Sequence, residues 1–379
     1  MRISQSFLAV CSSGAFLAMS VALASPAMAA TQSHATLYVN VKTGSNLNAG
    51  TIKAPLASIQ AAVNKASAGT TIVVEPGTYK EMVTVTKRVV IESQANVGNA
   101  QNTVIDAQGK ANGILIKGTL ASGTTVHGLG IEDANDAGIL AVGPISNLTF
   151  SANFLAYNSQ VKPPKTVVDW ETLHLEGATH SRIINNDIVD NLDGGIYLTD
   201  EPGPSAYNLV EGNLVVNNQV DCGITLASHV KGHGVYDNQV IGNISEHNGA
   251  AGVILATPVP GGIVRDNLIK DNTVKFNGLG GIGLHTHAPG SIVANNKIVD
   301  NVIGDNSADL SGSTVVSTGI DVSAVGSPIT GTMIAQNKIF GEADAINATS
   351  MAEGTVIKGN VGIGVNSVTH VSLPLGTQK

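Results

Sequence analysis

The side chains of this sequence that could carry chemistry gather between positions 174 and 287. Five of the ten His residues, one Tyr and three carboxylates form a single set of candidates. The set comprises His174, Glu176, Tyr197, Asp200, Glu201, His229, His233, His285 and His287. An imidazole exchanges protons near neutral pH, and a Tyr or carboxylate within hydrogen-bonding reach completes an acid/base pair. The segment therefore predicts an acid/base catalytic site, in which the first seven of these residues are the catalytic candidates.

Two reactions on sugars fit these residue types. A lyase or epimerase acting on a uronate needs a base such as His229, an acid such as Tyr197, and a cation to neutralise the sugar carboxylate. Lys231 or a bound divalent metal would supply that cation. A glycoside hydrolase would instead pair two carboxylates, and Glu176 with Glu201 or Asp200 are the candidates. The sequence leaves both reactions open.

Substrate binding is predicted for Trp170, Lys231, His285 and His287. Trp170, the only Trp, lies in the Pro-interrupted segment KPPKTVVDWE (162–171), where it is either a sugar-stacking platform or a plug that packs a loop onto a sheet. His285 and His287 would project to the same side of a strand and form a weak candidate metal pair, since no third ligand is assured. No cofactor is established by these residues, and a divalent metal stays open.

Two short phrases recur along the chain and define the elements that must position these side chains. The first phrase consists of an Asn, any four residues and a second Asn. It occurs as NFLAYN (153–158), NDIVDN (186–191), NLVVNN (213–218), NISEHN (243–248), NTVKFN (272–277) and NKIVDN (296–301), with degenerate copies at Asn337 and Asn360. The second is a Gly or small residue followed by alternating apolar residues, as in NGILI (112–116), AGILA (137–141), GGIYL (194–198), CGITL (222–226), AGVIL (251–255), GGIGL (280–284) and TGIDV (318–322). Successive Asn phrases begin roughly 24 to 33 residues apart until an insertion near 302–317.

Repeats of this length, made of short segments with a two-residue period, cannot bury an apolar face alone and must stack. We therefore predict an all-β fold, a right-handed parallel β-helix solenoid with an N-terminal cap helix. Ile, Leu and Val should point into each coil, and Asn and Gly should occupy the corners, because both tolerate left-handed backbone and Asn can bond to the next coil. The Asn columns are thus predicted to be structural ladders rather than catalytic groups.

Aligning the Gly phrases predicts which side chains share a face. With Gly195, Gly223, Gly252 and Gly281 in register, the outward position six residues later is occupied by Glu201, His229, Pro258 and His287. The outward position four residues later is occupied by Thr199, Ala227, Ala256 and His285, and LHLEG (173–177) fits one coil earlier. The candidate site is therefore predicted to lie along one sheet face.

The N-terminal 29 residues have the features of a secretory signal peptide. One charge, Arg2, precedes an apolar run, and the small-residue sequence Ala27-Met28-Ala29 predicts cleavage after Ala29. We expect a secreted or periplasmic protein without membrane insertion, built as one domain over 30–379 with a cap at 37–85, coils at about 86–365 and a short C-terminal tail. Within the cap, 58–66 is the predicted helix, with Ser58 as its N-cap.

Charge and cysteine content restrict the partners. Cleavage removes one positive charge, so the formal net charge of −8 becomes −9, and no nucleic-acid partner is expected. Cleavage also removes Cys11 and leaves Cys222 as the only thiol, so no intramolecular disulfide is expected. The expected partner is a polysaccharide, and the oligomeric state stays open.

The segment LYVNVKTGSNLNAGTIKAPLASIQAAVNKASAGTTIVVEPGTYKE (37–81) resembles the N-terminal cap and first coil of the pectate-lyase-like β-helix superfamily. That resemblance implies the fold but no single activity, because the superfamily includes lyases, hydrolases, esterases, epimerases, tailspikes and adhesins. The Asp-Pro-His-Asp motif of alginate epimerases and the Arg-x-Pro-x-x-Arg pattern of pectate lyases are absent. Of the polygalacturonase motifs only Gly232-His233-Gly234 is present.

Three functions follow from these observations. The favoured one is a secreted carbohydrate-active enzyme, either a polysaccharide lyase or a glycoside hydrolase. A non-catalytic polysaccharide-binding or surface protein is the first alternative, and a periplasmic metal-handling accessory β-helix is the second.

Overall fold

The fold is taken from a computed structural model, which describes residues 35–95, 99–160, 171–365, 367 and 369–372. The predicted signal peptide and Trp170 lie outside the described residues. From Thr36 onward the chain winds into stacked coils, and every pairing between its strands is parallel except for two isolated bridges. The prediction of a parallel β-helix is confirmed.

Each coil contributes one strand to each of two regular sheets. The first sheet contains Thr36–Val39, Thr70–Val74, Val89–Ser93, Thr125–His127, Thr149–Ser151, Arg182–Ile184, Leu209–Glu211, Gln239–Ile241, Leu268–Lys270, Lys297–Val299, Met333–Ala335 and Val356–Lys358. The second sheet contains Gly77–Lys80, Thr103–Asp106, Gly130–Glu132, Phe154–Ala156, Asp187–Val189, Leu214–Val216, Ile244–Glu246, Thr273–Lys275, Val302–Gly304, Lys338–Phe340 and Val361–Ile363.

The third sheet carries the Gly phrases and consists of a main ladder with a shorter side ladder. The main ladder contains Val83–Val85, Ile114–Lys117, Ile139–Ser146, Leu173–Thr179, Ile196–Thr199, Ile224–Ala227, Val253–Thr257, Ile282–Thr286, Thr318–Ala324, Asp344–Thr349 and His370–Ser372. The side ladder contains Ser205–Ala206, Val235–Tyr236, Ile263–Arg265, Ile292–Ala294, Ile329–Thr330 and Ala352–Glu353. In most later coils the chain therefore forms four strands.

The core is a set of apolar columns inside the coils. In the main ladder Ile196, Ile224, Val253 and Ile282 are stacked in register and fully buried. Full burial of one such side chain contributes about 1.5–3 kcal/mol. Because the strand period is two, this inward column fixes the neighbouring positions as outward.

Close approach of successive coils explains the Gly that precedes each apolar phrase. A Cβ placed on Gly195 would lie 2.5 Å from the carbonyl oxygen of Gly223 in the next coil and 2.3 Å from Cγ1 of Val215. A side chain at this position would therefore push the coils apart.

The Asn phrases form ladders of buried amides, as predicted. One ladder runs through Asn153, Asn186, Asn213, Asn243, Asn272, Asn301, Asn337 and Asn360. A second runs through Asn158, Asn191, Asn218, Asn248, Asn277 and Asn306 and ends on the carboxylate of Glu342. In each, the amide oxygen accepts from the preceding Asn, and the amide nitrogen donates to the following Asn or Glu.

Two details of the repeat differ from the prediction. The phrase that pairs with Asn272 begins at Asn301, not at Asn296, because Asn296 belongs to a third ladder with Asn208, Asn238 and Asn267. In addition, left-handed backbone occurs at the residue before each ladder Asn rather than at the Asn itself. Such residues include Asn185, Asp190, Tyr207, Asp237, His247 and Phe276.

The predicted cap helix is also confirmed. It spans Ile59–Lys65, and the side chain of Ser58 accepts a hydrogen bond from the amide of Ala61 at 3.2 Å. Ile59, Ala62 and Val63 are buried against the first coil.

Short 3₁₀ turns occur at Ala100–Asn102 and Thr119–Ala121. Among the described residues no helix has the length and apolar character needed to cross a membrane.

We expect Asn243→Ala to lower the free energy of unfolding by about 2–4 kcal/mol, because buried donors and an acceptor lose their partners. Asn243 accepts from the backbone amide and side chain of Asn213, and donates to Val210 O and to Asn272. Urea unfolding measures the change. Gln239→Ala, at an exposed position in the adjacent strand, is the control and should change stability by less than about 0.5 kcal/mol. Equal stabilities of the two variants would contradict the structural role of the ladder.

Candidate active site

The register of the third sheet brings the candidate side chains of neighbouring coils together. His174 pairs with Tyr197, and Glu176 pairs with Thr199, as the alignment of the Gly phrases predicts. Glu201 follows two residues after Thr199, beyond the end of the strand. His229 follows the corresponding strand, Ile224–Ala227, one coil later.

A Tyr–His–Glu chain of contacts forms the centre of the site. The hydroxyl of Tyr197 lies 2.6 Å from Nε2 of His229, and Nδ1 of His229 lies 3.9 Å from Oε1 of Glu201. The side chains of His229 and Glu201 are 17% and 31% exposed, whereas Tyr197 is only 3% exposed. A ligand on this face would thus contact His229 and Glu201, and Tyr197 would orient His229 from below.

His174 lies beneath the same face. Its ring stacks on that of Tyr197 with centroids 4.7 Å apart, and its Nε2 forms a 3.1 Å hydrogen bond with the hydroxyl of Thr199. Burial, with a further contribution from His229, lowers the pKa of His174 to about 3. At neutral pH His174 is therefore an uncharged packing and hydrogen-bonding group.

The pKa of Glu176 is shifted in the opposite direction, upward. Burial and, secondly, the negative charge of Glu201 raise the pKa of Glu176 to about 7. A half-buried carboxyl group beside a second carboxylate is thus protonated in a large fraction of molecules at neutral pH, and can act as an acid.

Asp200 is buried, and both of its oxygens accept hydrogen bonds from the turn that follows Ile224–Ala227. The donors are the backbone amides of His229, Val230 and Gly234, at 2.7, 3.1 and 2.8 Å, and the hydroxyl of Ser228, at 2.6 Å. The backbone carbonyl of Asp200 accepts a 2.8 Å hydrogen bond from Nδ1 of His233. Asp200 therefore positions His229 and His233 rather than facing a ligand with Glu176 and Glu201.

The remaining candidates are dispersed. Lys231 is exposed in the turn after His229, and His287 is exposed near the end of a later strand. His285 is 1% exposed, since residues of the insertion near 302–317 lie over it. A glycan on the surface would not touch its side chain. These substrate-binding assignments, and that of Trp170, stay predictions.

His285 instead belongs to a second, buried group with two carboxylates that the sequence analysis did not single out. Its Nε2 lies 3.1 Å from Oδ2 of Asp309 and 3.7 Å from Oδ2 of Asp321. Burial opposes charge on His285 and Asp309, but their mutual attraction outweighs it, so the pKa of His285 is raised and that of Asp309 is lowered. Asp321 occupies the outward position two residues after Gly319, so the alignment of the Gly phrases could have identified it. Asp309 lies in the insertion, for which no alignment exists.

A column of exposed rings at the neighbouring corner was also missed. His180 stacks on Tyr207 with centroids 5.0 Å apart, Tyr207 meets Tyr236 edge-on at 6.0 Å, and the guanidinium of Arg265 lies 4.5 Å from the ring centre of Tyr236. Tyr207 is 52% exposed. Its position just before a ladder Asn is the sequence signal that could have identified this column.

Residues 87–257 match the family described as right-handed beta helix region. The residues that the structure describes fold as a right-handed parallel β-helix. The predicted fold, a right-handed parallel β-helix, is thereby confirmed. No curated protein matches the sequence significantly.

Several solved structures resemble this β-helix protein. The GH136 lacto-N-biosidase from Eubacterium ramulus superposes with a TM-score of 0.47 and 12% identity, over 89% of this chain and 68% of that chain. The A-module of the Azotobacter vinelandii mannuronan C-5 epimerase AlgE4 superposes with a TM-score of 0.47 and 15% identity, over 89% of this chain and 99% of that chain. The pectate lyase Pel9A superposes with a TM-score of 0.47 and 17% identity, over 91% of this chain and 81% of that chain.

We expect Asp200→Ala to free the turn that carries His229 and His233, because the turn would lose its shared acceptor. Amide exchange of His229, Val230 and Gly234, followed by mass spectrometry or NMR, should accelerate by at least about tenfold. Glu211→Ala, in the first sheet of the same coil, is the control and should leave these amides protected. Unchanged exchange in Asp200→Ala would contradict the positioning role.

Proposed function

We propose that this β-helix protein is a secreted carbohydrate-active enzyme that cleaves glycosidic bonds in a polysaccharide lying across Glu176, Glu201 and His229. The observation that carries the proposal is the pair of carboxyl groups on neighbouring coils. The pKa of Glu176 is raised to about 7 beside the charged Glu201. Glycoside hydrolysis uses such a pair, in which one group protonates the leaving oxygen and the other acts as base or nucleophile.

The division of roles follows from the surroundings of each group. Glu176, whose pKa is raised to about 7, is the general acid, whereas Glu201 is the carboxylate that activates water or attacks the sugar. His229 lies 3.9 Å from Glu201 and is held by the hydroxyl of Tyr197, so it fixes the orientation of that carboxylate.

A second, independent observation favours a carbohydrate ligand. It is the ring column formed by His180, Tyr207, Tyr236 and Arg265. Gly177, with a φ of +58°, follows Glu176 within the strand Leu173–Thr179, and His180 stands three residues further along the chain. Flat apolar ring surfaces with polar edges suit the faces of sugar rings. The column would hold parts of the polysaccharide that extend beyond the reacting bond.

One contact favours a second candidate, β-elimination from a uronate. The 2.6 Å hydrogen bond between Tyr197 and His229 would couple a base to an acid, as proton removal next to a carboxyl group requires. Lys231 follows His229 by two residues and would supply the cation for the sugar carboxylate. The charge of Glu201 repels an anionic sugar, however, so hydrolysis is the proposal we favour.

Export is part of the proposal, because residues 1–29 have the pattern of a signal peptide. N-terminal sequencing of the exported protein should begin at Ala30. Retention of residues 1–29 would remove this part of the proposal.

The decisive experiment is an assay of products from a panel of neutral and uronate-containing polysaccharides. Hydrolysis generates reducing ends alone, whereas elimination also generates the ultraviolet absorbance of an unsaturated uronate. We expect reducing ends alone, and a fall in kcat of about 10²–10⁴-fold in both Glu176→Gln and Glu201→Gln.

The matched control is Glu246→Gln, which changes a half-buried Glu of the second sheet and should retain full activity. Ultraviolet absorbance that depends on Tyr197 and His229 would replace hydrolysis with elimination. Binding of a glycan without any product would leave a non-catalytic binding protein.

The acid role of Glu176 predicts the pH dependence of kcat. Because the acid must be protonated and its pKa is about 7, kcat should fall as the pH rises through about 7. Titration of the Glu176 carboxyl by ¹³C NMR, assigned with Glu176→Gln, should show the same midpoint. A carboxyl that titrates near 4.5, the ordinary value for Glu, would contradict the assignment.

A further inference from the structure

The insertion that follows the strand Val302–Gly304 folds over the outer face of the third sheet. An antiparallel bridge between Ala308 and Ser317 closes it into a loop. Asp309 stands just inside this bridge, and His285 and Asp321 stand on two adjacent strands of the sheet beneath it. The loop therefore brings a carboxylate from a distant part of the sequence onto an imidazole and a second carboxylate.

The three side chains converge in a closed space. The side chains of His285 and Asp309 are 1% and 0% exposed, and Asp321 is fully buried. One ligand atom from each residue lies within 4.8 Å of the others. The closest pair is Nε2 of His285 and Oδ2 of Asp309, 3.1 Å apart.

Both atoms of that closest pair lack a hydrogen-bond partner in the structure. A buried polar atom without a partner costs about 1–3 kcal/mol, and more when it is charged. Two such atoms facing one another across a buried space indicate a ligand that accepts electron pairs from both.

Hydrogen bonds hold both carboxylates in place. Oδ1 of Asp309 accepts from Ser311 Oγ at 2.8 Å and from the amide of Gly312 at 3.0 Å. Oδ1 of Asp321 accepts from Ser313 Oγ at 2.9 Å and from Asn347 Nδ2 at 2.6 Å, and its Oδ2 accepts from the amide of Ser313 at 2.9 Å. Hydrogen bonds of this kind orient the carboxylates that bind a metal.

Glycines enclose the imidazole nitrogen. A Cβ on Gly312 would lie 2.8 Å from Nε2 of His285 and 2.1 Å from Oδ2 of Asp321, and a Cβ on Gly283 would lie 2.9 Å from the same Nε2. The absence of side chains at these two positions keeps the inner space free for a small ion.

The donor atoms decide what kind of ion fits. Two carboxylates with a neutral imidazole are balanced by one divalent cation. Imidazole nitrogen with carboxylate oxygen is a donor set that suits Zn²⁺ or Mn²⁺.

We propose that His285, Asp309 and Asp321 bind one divalent transition-metal ion, which clamps the loop 308–317 onto the third sheet. The site is new with respect to the pair His285 and His287, because His287 is exposed and takes no part in it. Three coil spacings, about 14 Å along the axis, separate His285 from the level of Tyr197, so the site is structural and distinct from the proposed catalytic site.

The test uses the full mature chain, stripped with a chelator and then titrated with Zn²⁺ and, separately, with Mn²⁺. We expect uptake of one ion per chain, a rise in Tm of a few degrees, and X-ray absorption that shows one nitrogen ligand among oxygens. His285→Gln and Asp309→Asn should lose the uptake and the rise in Tm. His247→Gln and Asp305→Asn, which change an exposed His and an exposed Asp, should keep both.

A buried ion pair without metal predicts a different pattern. In that case the Tm of the stripped wild-type chain would equal that of the untreated chain, and neither metal would bind beyond the level found for His285→Gln. That result would overturn the proposal. If Asp309→Asn fails to fold, metal content and X-ray absorption of the wild-type chain alone still decide, since they need no variant.

Discussion

Registration of one coil on the next is the constraint on which the rest of the structure depends. An isolated coil cannot bury its apolar residues, and the buried Asn amides have partners only when another coil lies in register on each side. Asn213 and Asn243, for example, are joined by a 2.9 Å hydrogen bond between residues thirty positions apart in the sequence. A shift of one residue would unpair the whole ladder and turn Ile224 and its neighbours outward.

This registration also creates the two sites. His174, Tyr197 and His229 come from successive coils, and only the stacking distance brings their side chains into contact. The environment then distinguishes the ionisable groups, since burial lowers the pKa of His174 to about 3, whereas burial and the charge of Glu201 raise the pKa of Glu176 to about 7. The same face becomes a closed site three coils later, where the loop 308–317 covers His285.

The sequence could predict the fold, and which candidate side chains lie side by side, because both depend on periodicity. A period of two along the strand and a repeat of about thirty residues specify which side chains point outward and which lie side by side. This reasoning placed His174 next to Tyr197, which the structure confirms. It failed where the period is broken, since the third Asn ladder displaces the phrase at Asn296 and the insertion has no counterpart in other coils.

The sequence by itself determined the β-helix, its cap helix, the Asn ladders and the set of outward residues, because these follow from local pattern and the need to bury apolar side chains. Only the tertiary structure decided the burial and pairing of those residues. The carboxylate oxygens of Asp200 accept hydrogen bonds from the turn after Ile224–Ala227. His285 faces Asp309 and Asp321 instead of solvent. The physical reason is that burial and hydrogen-bond geometry depend on loops from distant parts of the chain, which no periodic pattern places.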